Sequence, residues 1–476
     1  MTRLRRLAIF FLALAVVGGP RVSLAASPGV PVLPSTPNDY VKYAVTDLPR
    51  HFTTGTMPGL NNTPVDNPIT NAGAALGRAL FYDERVSHND STSCASCHKQ
   101  ENDFSDTNQL SVGFEGGLTG RHSMGLANGA YYDSGKFFWD ERAATLEDQV
   151  LMPIQDPVEM GMSLPILTAK LSATTFYPQL FQNAFGTPEV TPERISKSLA
   201  QFVRSMVSYN SKFDDAVNLG NTINTPNFVA AGFTAQEIEG RNIFHGTGGC
   251  NQCHVSQAQI GDAPANIGLD INNLADAGVG GPGVGTGKFK TPSLRNVEVR
   301  GGYMHDGRFT TLEEVVEFYN SGVQNNPSLD PRMKSGGVPR KLNLTQAQKE
   351  ALVAFLKTLT DDEFLANEMF SNPFVDLPGD FDGNGVVEGA DLALWKTNFG
   401  SADPKADANN DGRVDGGDFL IWQRNLGQSW EDLQLAAAST TAATVPEPSA
   451  GVILAMAALG LGGFHRRRGR HASRVC

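Results

Sequence analysis

The sequence predicts a mainly α-helical protein made of two similar domains followed by a small module of two loop-and-helix repeats. Three observations predict this. A Cys-x-x-Cys-His run occurs twice, at 94–98 and 250–254, and a matching Gly-Arg-x-x-Phe segment, 77–81 and 240–244, leads into each copy. Apolar residues recur at three- and four-residue steps in 195–207 and 347–359, the spacing of a helix with one buried face. Beyond Pro378 an oxygen-rich twelve-residue pattern repeats after 27 residues.

Size and charge set the outer limits. The chain has 476 residues, enough for about three domains at roughly 150 residues each. It carries 38 basic and 50 acidic residues, a formal charge of -12, which argues against nucleic acid as a main partner because phosphate backbones are bound through Lys/Arg excess. At 40% hydrophobic and 18% charged it is not a disordered chain, and 50 Gly with 27 Pro imply extensive loops. Five cysteines are too few for a disulfide scaffold and odd in number, so their spacing carries the information.

Residues 1–26 read as a signal peptide. Arg3, Arg5 and Arg6 precede an apolar run, 7–17, and Ser23-Leu24-Ala25 supplies a small-x-Ala cleavage pattern. The mature chain is expected to start near Ala26 or Ser27; the surroundings of Arg5-Arg6 match twin-arginine export poorly.

The paired motifs then place two c-type haems. Cys94, Cys97 and His98 form one attachment site, and Cys250, Cys253 and His254 the other. The spacing serves the chemistry, because two thiols must reach the two vinyl groups of one porphyrin while the next residue turns its imidazole onto the iron. A zinc knuckle or a thioredoxin-like pair is the competing reading, and an export signal favours haem. The frame is duplicated further on, where WDERAATLE (139–147) matches HDGRFTTLE (305–313). Two cytochrome c-like haem domains follow, 35–220 and 221–370.

Over roughly 71–365 the chain resembles the bacterial dihaem cytochrome c peroxidases and their MauG relatives, most specifically in FFWDERAATLEDQVLMPIQDPVEM (137–160). The resemblance implies that the N-terminal haem reacts with peroxide, that the C-terminal haem stores and relays an electron, and that a tryptophan, matched by Trp139, lies between them. Gln149 and Glu159 match the two polar residues of the peroxide pocket. Splitting peroxide moves a proton from one oxygen to the other, work for a carboxylate, so Glu159 is the expected shuttle. Gln149 cannot ionise and would orient peroxide or water.

Departures from the family pattern sharpen the expectation. Many of its peroxidases carry a distal histidine sixteen residues after the first haem histidine; Phe114 stands there, which implies an N-terminal haem that is five-coordinate or water-ligated at rest. His88 and His122 are the alternatives should a second histidine bind. His122 also replaces an asparagine that helps hold an inter-haem calcium, which makes that calcium doubtful here. For the sixth ligand of the second haem, the peroxidases use a methionine fourteen residues after the histidine matched by His305. This chain has Tyr319 there, as MauG-like proteins do, with Met304 as the alternative. Methionine would raise the potential and tyrosinate would lower it.

The C-terminal repeats are calcium loops by spacing. Asp380, Asp382, Asn384, Glu388 and Asp391 occupy positions 1, 3, 5, 9 and 12 of the first, with the Val386 carbonyl at 7. Asp407, Asn409, Asp411, Asp415 and Asp418, with the Arg413 carbonyl, do the same in the second. Each loop leads into a helix, and the pair resembles a type I dockerin, a small double EF-hand-like module at 378–428. It implies either a cohesin-like partner or a calcium-stabilised spacer. Residues 429–445 read as linker. In 445–470, Val445-Pro446-Glu447-Pro448-Ser449, a 14-residue apolar run and Arg466-Arg467-Arg468 resemble a PEP-CTERM sorting signal, implying a transient membrane anchor. The fifth cysteine, Cys476, falls in that tail.

The expected function is reduction of hydrogen peroxide to water with electrons from a small redox protein, a cytochrome c or cupredoxin, in the periplasm or at the cell surface. A MauG-like oxidase acting on a partner protein is the second reading. A surface electron-transfer module without catalysis is the third, and Glu159 and Gln149 count against it.

Overall fold

The computed structural model describes residues 29–442 apart from 34–39, 45–47, 223 and 262. The leader and the segment 445–470 lie outside the described residues. Among those described, no helix is long and apolar enough to cross a membrane.

The architecture is helical, with strands of two residues only. The first half is organised by α1 (Asn71–Tyr82), α2 (Leu146–Gln155), α3 (Phe176–Phe185) and α4 (Pro192–Ser205), and the second by α5 (Ala235–His245), α6 (Leu312–Glu317) and α7 (Gln346–Lys357). α8 (Gly389–Asn398) and α9 (Gly416–Asn425) follow the two calcium-type loops.

Both halves are built on the same helix crossing. α1 packs on α4 through Gly77, where an added β-carbon would lie 2.0 Å from the Ser198 carbonyl oxygen. α5 packs on α7 through Gly240, where it would lie 1.8 Å from that of Ala351. Only glycine permits such approach, so the repeated Gly-Arg-x-x-Phe segment is a packing signature. The side chains beside it, Leu80, Phe81 and Phe202 in one half and Phe244, Leu352 and Phe355 in the other, are buried, each contributing about 1.5–3 kcal/mol by removal from water. Helix starts are set by threonines: Thr145, Thr191, Thr311 and Thr345 each accept a backbone N–H of the first turn. The repeated Ala/Thr-Thr-Leu-Glu sequence is such a start in both copies.

Buried ion pairs cross between the halves. Asp103 accepts from Arg300 (2.6 Å) and from Asn296 (2.9 Å), and Asp214 accepts from His51 (2.7 Å) and from Arg295 (2.8 Å). Burial alone would raise the Asp214 carboxyl, but the Arg295 guanidinium and His51 outweigh it and hold that carboxyl well below the usual range.

The dockerin-like module is seated on the first half. Thr175, ahead of α3, donates its N–H to the Asn384 carbonyl (2.9 Å), and Arg85 donates to the Gly383 carbonyl (3.2 Å) inside the first loop. Lys405 pairs with Asp90 (2.7 Å). Phe381, Val387, Trp422 and Trp430 are buried in the hydrophobic cluster that contains Phe176 and Tyr177, and Trp430 donates its ring N–H to Pro31 (2.7 Å). β1 (Val30–Pro31) and β2 (Phe374–Val375) pair antiparallel at this seam.

Candidate active site

One cavity gathers the first motif and its expected partners. Cys94, Cys97 and His98 line it together with Trp139, Gln149 and Glu159. A single turn, Cys94–Cys97, carries both thiols, and Ser93 and Ser96 cap it reciprocally. His98 Nδ1 donates to the Phe104 carbonyl (2.6 Å), which leaves Nε2 as the lone-pair nitrogen, and burial keeps the ring neutral by lowering its pKa. Burial likewise pushes the Cys94 and Cys97 thiols up, to about 12 and about 11. Gln149 projects from the first turns of α2. Glu159 follows the helix on a turn whose N–H groups at Val158 and Glu159 bond to Asp156 (2.8 and 3.1 Å). Burial and then neighbouring Asp156 raise the Glu159 carboxyl above its ordinary value, and Arg142 opposes them. A carboxyl raised in this direction gives up its proton less readily than an exposed one, which suits a group that accepts and returns a proton.

Phe114 is seated elsewhere. Its backbone N–H donates to the Glu159 carbonyl (3.1 Å) and its ring lies where a β-carbon on Gly161 would sit. It supports the Glu159 turn from behind and is not among the residues lining the cavity. His88 is exposed on the far side of the Phe114 ring, at 6.1 Å between centroids, and lines neither cavity.

A second cavity gathers Cys250, Cys253 and His254 with both ligand candidates, Met304 and Tyr319. His254 repeats the first site's arrangement, with Nδ1 donating to the Gln259 carbonyl (3.0 Å) and burial lowering its pKa to about 4. Tyr319 lies on a π-helical turn, Phe318–Gly322, that continues α6, an irregularity that often marks a functional position. Burial pushes its phenol up, and binding a metal would require its O–H proton to leave. Met304 sits in the loop 303–309 with φ +69, and the next residue, His305, stacks on Phe289 at 3.6 Å.

The two cavities share a wall. Trp139, His122 and Lys290 line both. The Trp139 ring N–H donates to the His122 carbonyl (2.8 Å), and the Trp139 carbonyl accepts the Lys290 N–H (2.8 Å). His122 Nδ1 donates to the Gln109 carbonyl (3.0 Å), while its buried Nε2 has no protein partner. With Nδ1 so occupied and burial lowering the ring's pKa, Nε2 is an acceptor.

The residues present therefore fit two covalently attached haems: two thiols and one neutral imidazole, its outer nitrogen already bonded, face each cavity. Comparison with known proteins agrees. Residues 71–222 match the family described as di-haem cytochrome c peroxidase. Methylamine utilization protein MauG of Methylorubrum extorquens is 36% identical over 300 residues, 62% of this chain and 80% of that protein. Cytochrome c551 peroxidase of Nitrosomonas europaea is 34% identical, over 61% of this chain and 80% of that protein. The chain belongs to the dihaem cytochrome c peroxidase and MauG family. A solved MauG-like protein associated with microbial copper homeostasis superposes with TM-score 0.57 at 32% identity, covering 69% of this chain and 99% of that one. The diheme peroxidase BthA of Burkholderia thailandensis shares the fold, with TM-score 0.51 at 24% identity. Residues 378–427 match the dockerin type I domain.

As a dihaem cytochrome c peroxidase family member the chain carries two c-type haems, and in the dockerin domain a candidate cation site is visible from the side chains. Asp380, Asp382 and Asp391 bring ligand oxygens within 4.8 Å of one another. Asp380 and Asp391 are buried, and burial pushes Asp380 up to about 7. Asn384 donates to Glu388 (3.3 Å) and accepts the Val386 N–H (2.8 Å), closing the loop around Gly385 (φ +96). The second loop follows the same pattern, with Asp407 accepting from Asp411 and Gly412 (3.1 and 2.7 Å), Asp415 and Asp418 capping α9, and Asn409 and Arg413 on the loop edge.

Sequence reading missed Lys290 and the Asp103–Arg300 lock. Neither has a sequence signature, since each is a lone charge whose partner is remote in the chain.

Proposed function

We propose that the protein reduces hydrogen peroxide to water with electrons delivered by a small redox protein, a cytochrome c or cupredoxin. The observation that carries this is the convergence of Glu159 and Gln149 on the cavity of Cys94, Cys97 and His98, with Trp139 in the wall towards the second cavity. Haem held there supplies a redox-active iron for peroxide and a store for oxidising equivalents. The residues do the rest. His98 and His254 would each hold a haem through Nε2, Gln149 orients the peroxide by hydrogen bonds, and Glu159 takes the proton from one peroxide oxygen and returns it to the other, which departs as water; two electrons from the donor and two protons from solvent convert the remaining oxygen to a second water. Trp139 offers the path by which electrons cross from the relay side.

Tyr319 favours a second reading, MauG-like oxidation of a partner protein, because a hard anionic donor suits a relay of low potential. Localisation belongs to the same proposal: export through 1–26, sorting and transient membrane anchoring through 445–470, and calcium in the dockerin loops. That module would offer itself to a cohesin-like partner or act as a calcium-stabilised spacer. The purified dihaem protein, titrated anaerobically with peroxide and followed by absorbance and EPR, tests the reading. Rapid consumption of peroxide that depends on a reduced donor is expected. Oxidation that persists with donor present, and passes instead to a partner protein, would favour the MauG-like reading; inertness to peroxide would leave an electron-transfer module.

A further inference from the structure

Glu141 occupies a backbone position for which the chain's own repeat uses glycine. Loops 137–143 and 303–309 close with equivalent bridges, Phe137 to Ala143 and Tyr303 to Phe309. They pass through the left-handed region at the same two places: Phe138 (φ +68) matches Met304 (φ +69), and Glu141 (φ +53) matches Gly307 (φ +66). A side chain at that φ is strained where glycine is not. Strain of this kind persists where the side chain is held to a task.

The task is visible in what the carboxylate touches. Glu141 accepts the phenolic O–H of Tyr132 and the hydroxyl of Ser134 (2.8 Å). Tyr132 is fully buried, at 0% exposure, while Ser134 lies on the exposed loop that follows it. The Lys290 ammonium sits 4.2 Å above the Tyr132 ring and 4.7 Å above that of Phe137, and the Lys290 backbone N–H is bonded to the Trp139 carbonyl. Trp139, Lys290, Tyr132, Glu141 and Ser134 thus form a continuous run from the wall shared by both cavities to the surface. A positive charge over the phenol ring disfavours a second one on it. An electron can therefore leave Tyr132 readily only if its proton leaves too, and Glu141 is the base already in place.

We propose that Tyr132 and Glu141 form a proton-coupled redox station behind Trp139, through which oxidising equivalents travel between the inter-cavity wall and the surface. The proposal rests on the peroxidase reading above, since hydrogen peroxide is the oxidant. One electron passes from Tyr132 to the oxidised wall, its O–H bond breaks, and the proton forms an O–H bond to the Glu141 carboxylate. A neutral tyrosyl radical and a protonated Glu141 remain. An electron from a donor or partner protein then restores the phenol and takes the proton back.

Freeze-quench EPR of the full-length dihaem protein treated with hydrogen peroxide tests this. The expected result is an organic radical whose lines narrow when the protein carries ring-deuterated tyrosine. It should be lost in Tyr132→Phe, and its formation slowed roughly a hundredfold in Glu141→Gln, with the solvent deuterium effect of the unaltered protein abolished. Glu141→Gly, which removes the base without the strain, should match Glu141→Gln. A radical that survives Tyr132→Phe overturns the proposal, as does one whose rate and solvent isotope effect ignore both Glu141 variants. Haem absorbance separates the two levels: if peroxide changes it but no Tyr132-dependent radical appears, this proposal alone fails. If peroxide leaves it unchanged, the peroxidase reading fails and takes the proposal with it.

Discussion

Loops 137–143 and 303–309 turn through the same two left-handed positions, yet one presents Trp139 and Glu141 and the other His305 and Gly307. In both copies the third residue lines a cavity, and in both the following helix starts on a threonine whose side chain accepts the N–H three residues on. What differs is what the next helix brings. α2 carries Gln149, suited to orienting a bound molecule, and leads to the half-buried Glu159, suited to moving a proton. α6 runs into a π-helical turn carrying Tyr319, a group suited to binding metal. On the proposed reading, side chains outside the attachment motifs divide a duplicated frame into a side for peroxide and a side for electrons.

Substitutions can break this division. The largest expected effect is Glu159→Gln, which should lower kcat/KM for peroxide by roughly a hundredfold to ten-thousandfold while leaving the potential of the second haem unchanged. The pH profile should distinguish them as well. Because burial raises the Glu159 carboxyl, and the ionised form is the proton acceptor, activity should climb as pH rises through a pKa above the ordinary carboxylate value. That rising limb should vanish in Glu159→Gln, and a limb that persists would assign the proton to another group.

Asp103→Ala tests whether the two sides need their fixed alignment. It strands the buried Arg300 guanidinium and should cost about 3–5 kcal/mol in denaturant unfolding; a loss below about 1 kcal/mol would mean that the lock is not what joins the halves. Next is Tyr319→Met, expected to raise the midpoint potential of the second haem by about 60 mV or more, a tenfold shift in its redox ratio. Appearance of the long-wavelength band of methionine-ligated ferric haem in the unaltered protein would instead assign the ligand to Met304. The smallest effect is expected from Gly307→Ala. Its left-handed φ costs an L-residue roughly 1–2 kcal/mol, and the new β-carbon would lie 2.8 Å from the Gln109 carbonyl oxygen, so the melting temperature should fall without change at the first site.

Much of this was legible in the chain because the relevant signals are local. The haem motifs, the duplicated Gly-Arg-x-x-Phe and WDERAATLE/HDGRFTTLE segments and the calcium loops are each short and continuous in the chain. Trp139, Gln149 and Glu159 were reached through resemblance, and the structure brings them to one cavity through α2 and the Asp156 turn. Phe114 was legible only as the absence of a histidine; its seat against Gly161, behind the Glu159 turn, is a matter of tertiary packing. The dockerin-like repeats read as an appended module, whereas Arg85, Thr175 and Trp430 tie the first loop to the body of the protein.

By itself the sequence determined the two haem attachments, the helical class, the dockerin repeats and the family, since these depend on spacing along the chain. Only the tertiary structure decided that Trp139, His122 and Lys290 form a wall common to both cavities, and that Glu141 reaches Tyr132. Those contacts join residues whose separation along the chain carries no period. Their energies come from burial and from hydrogen bonds, and that of Lys290 to Trp139 exists only once the two halves have closed on each other.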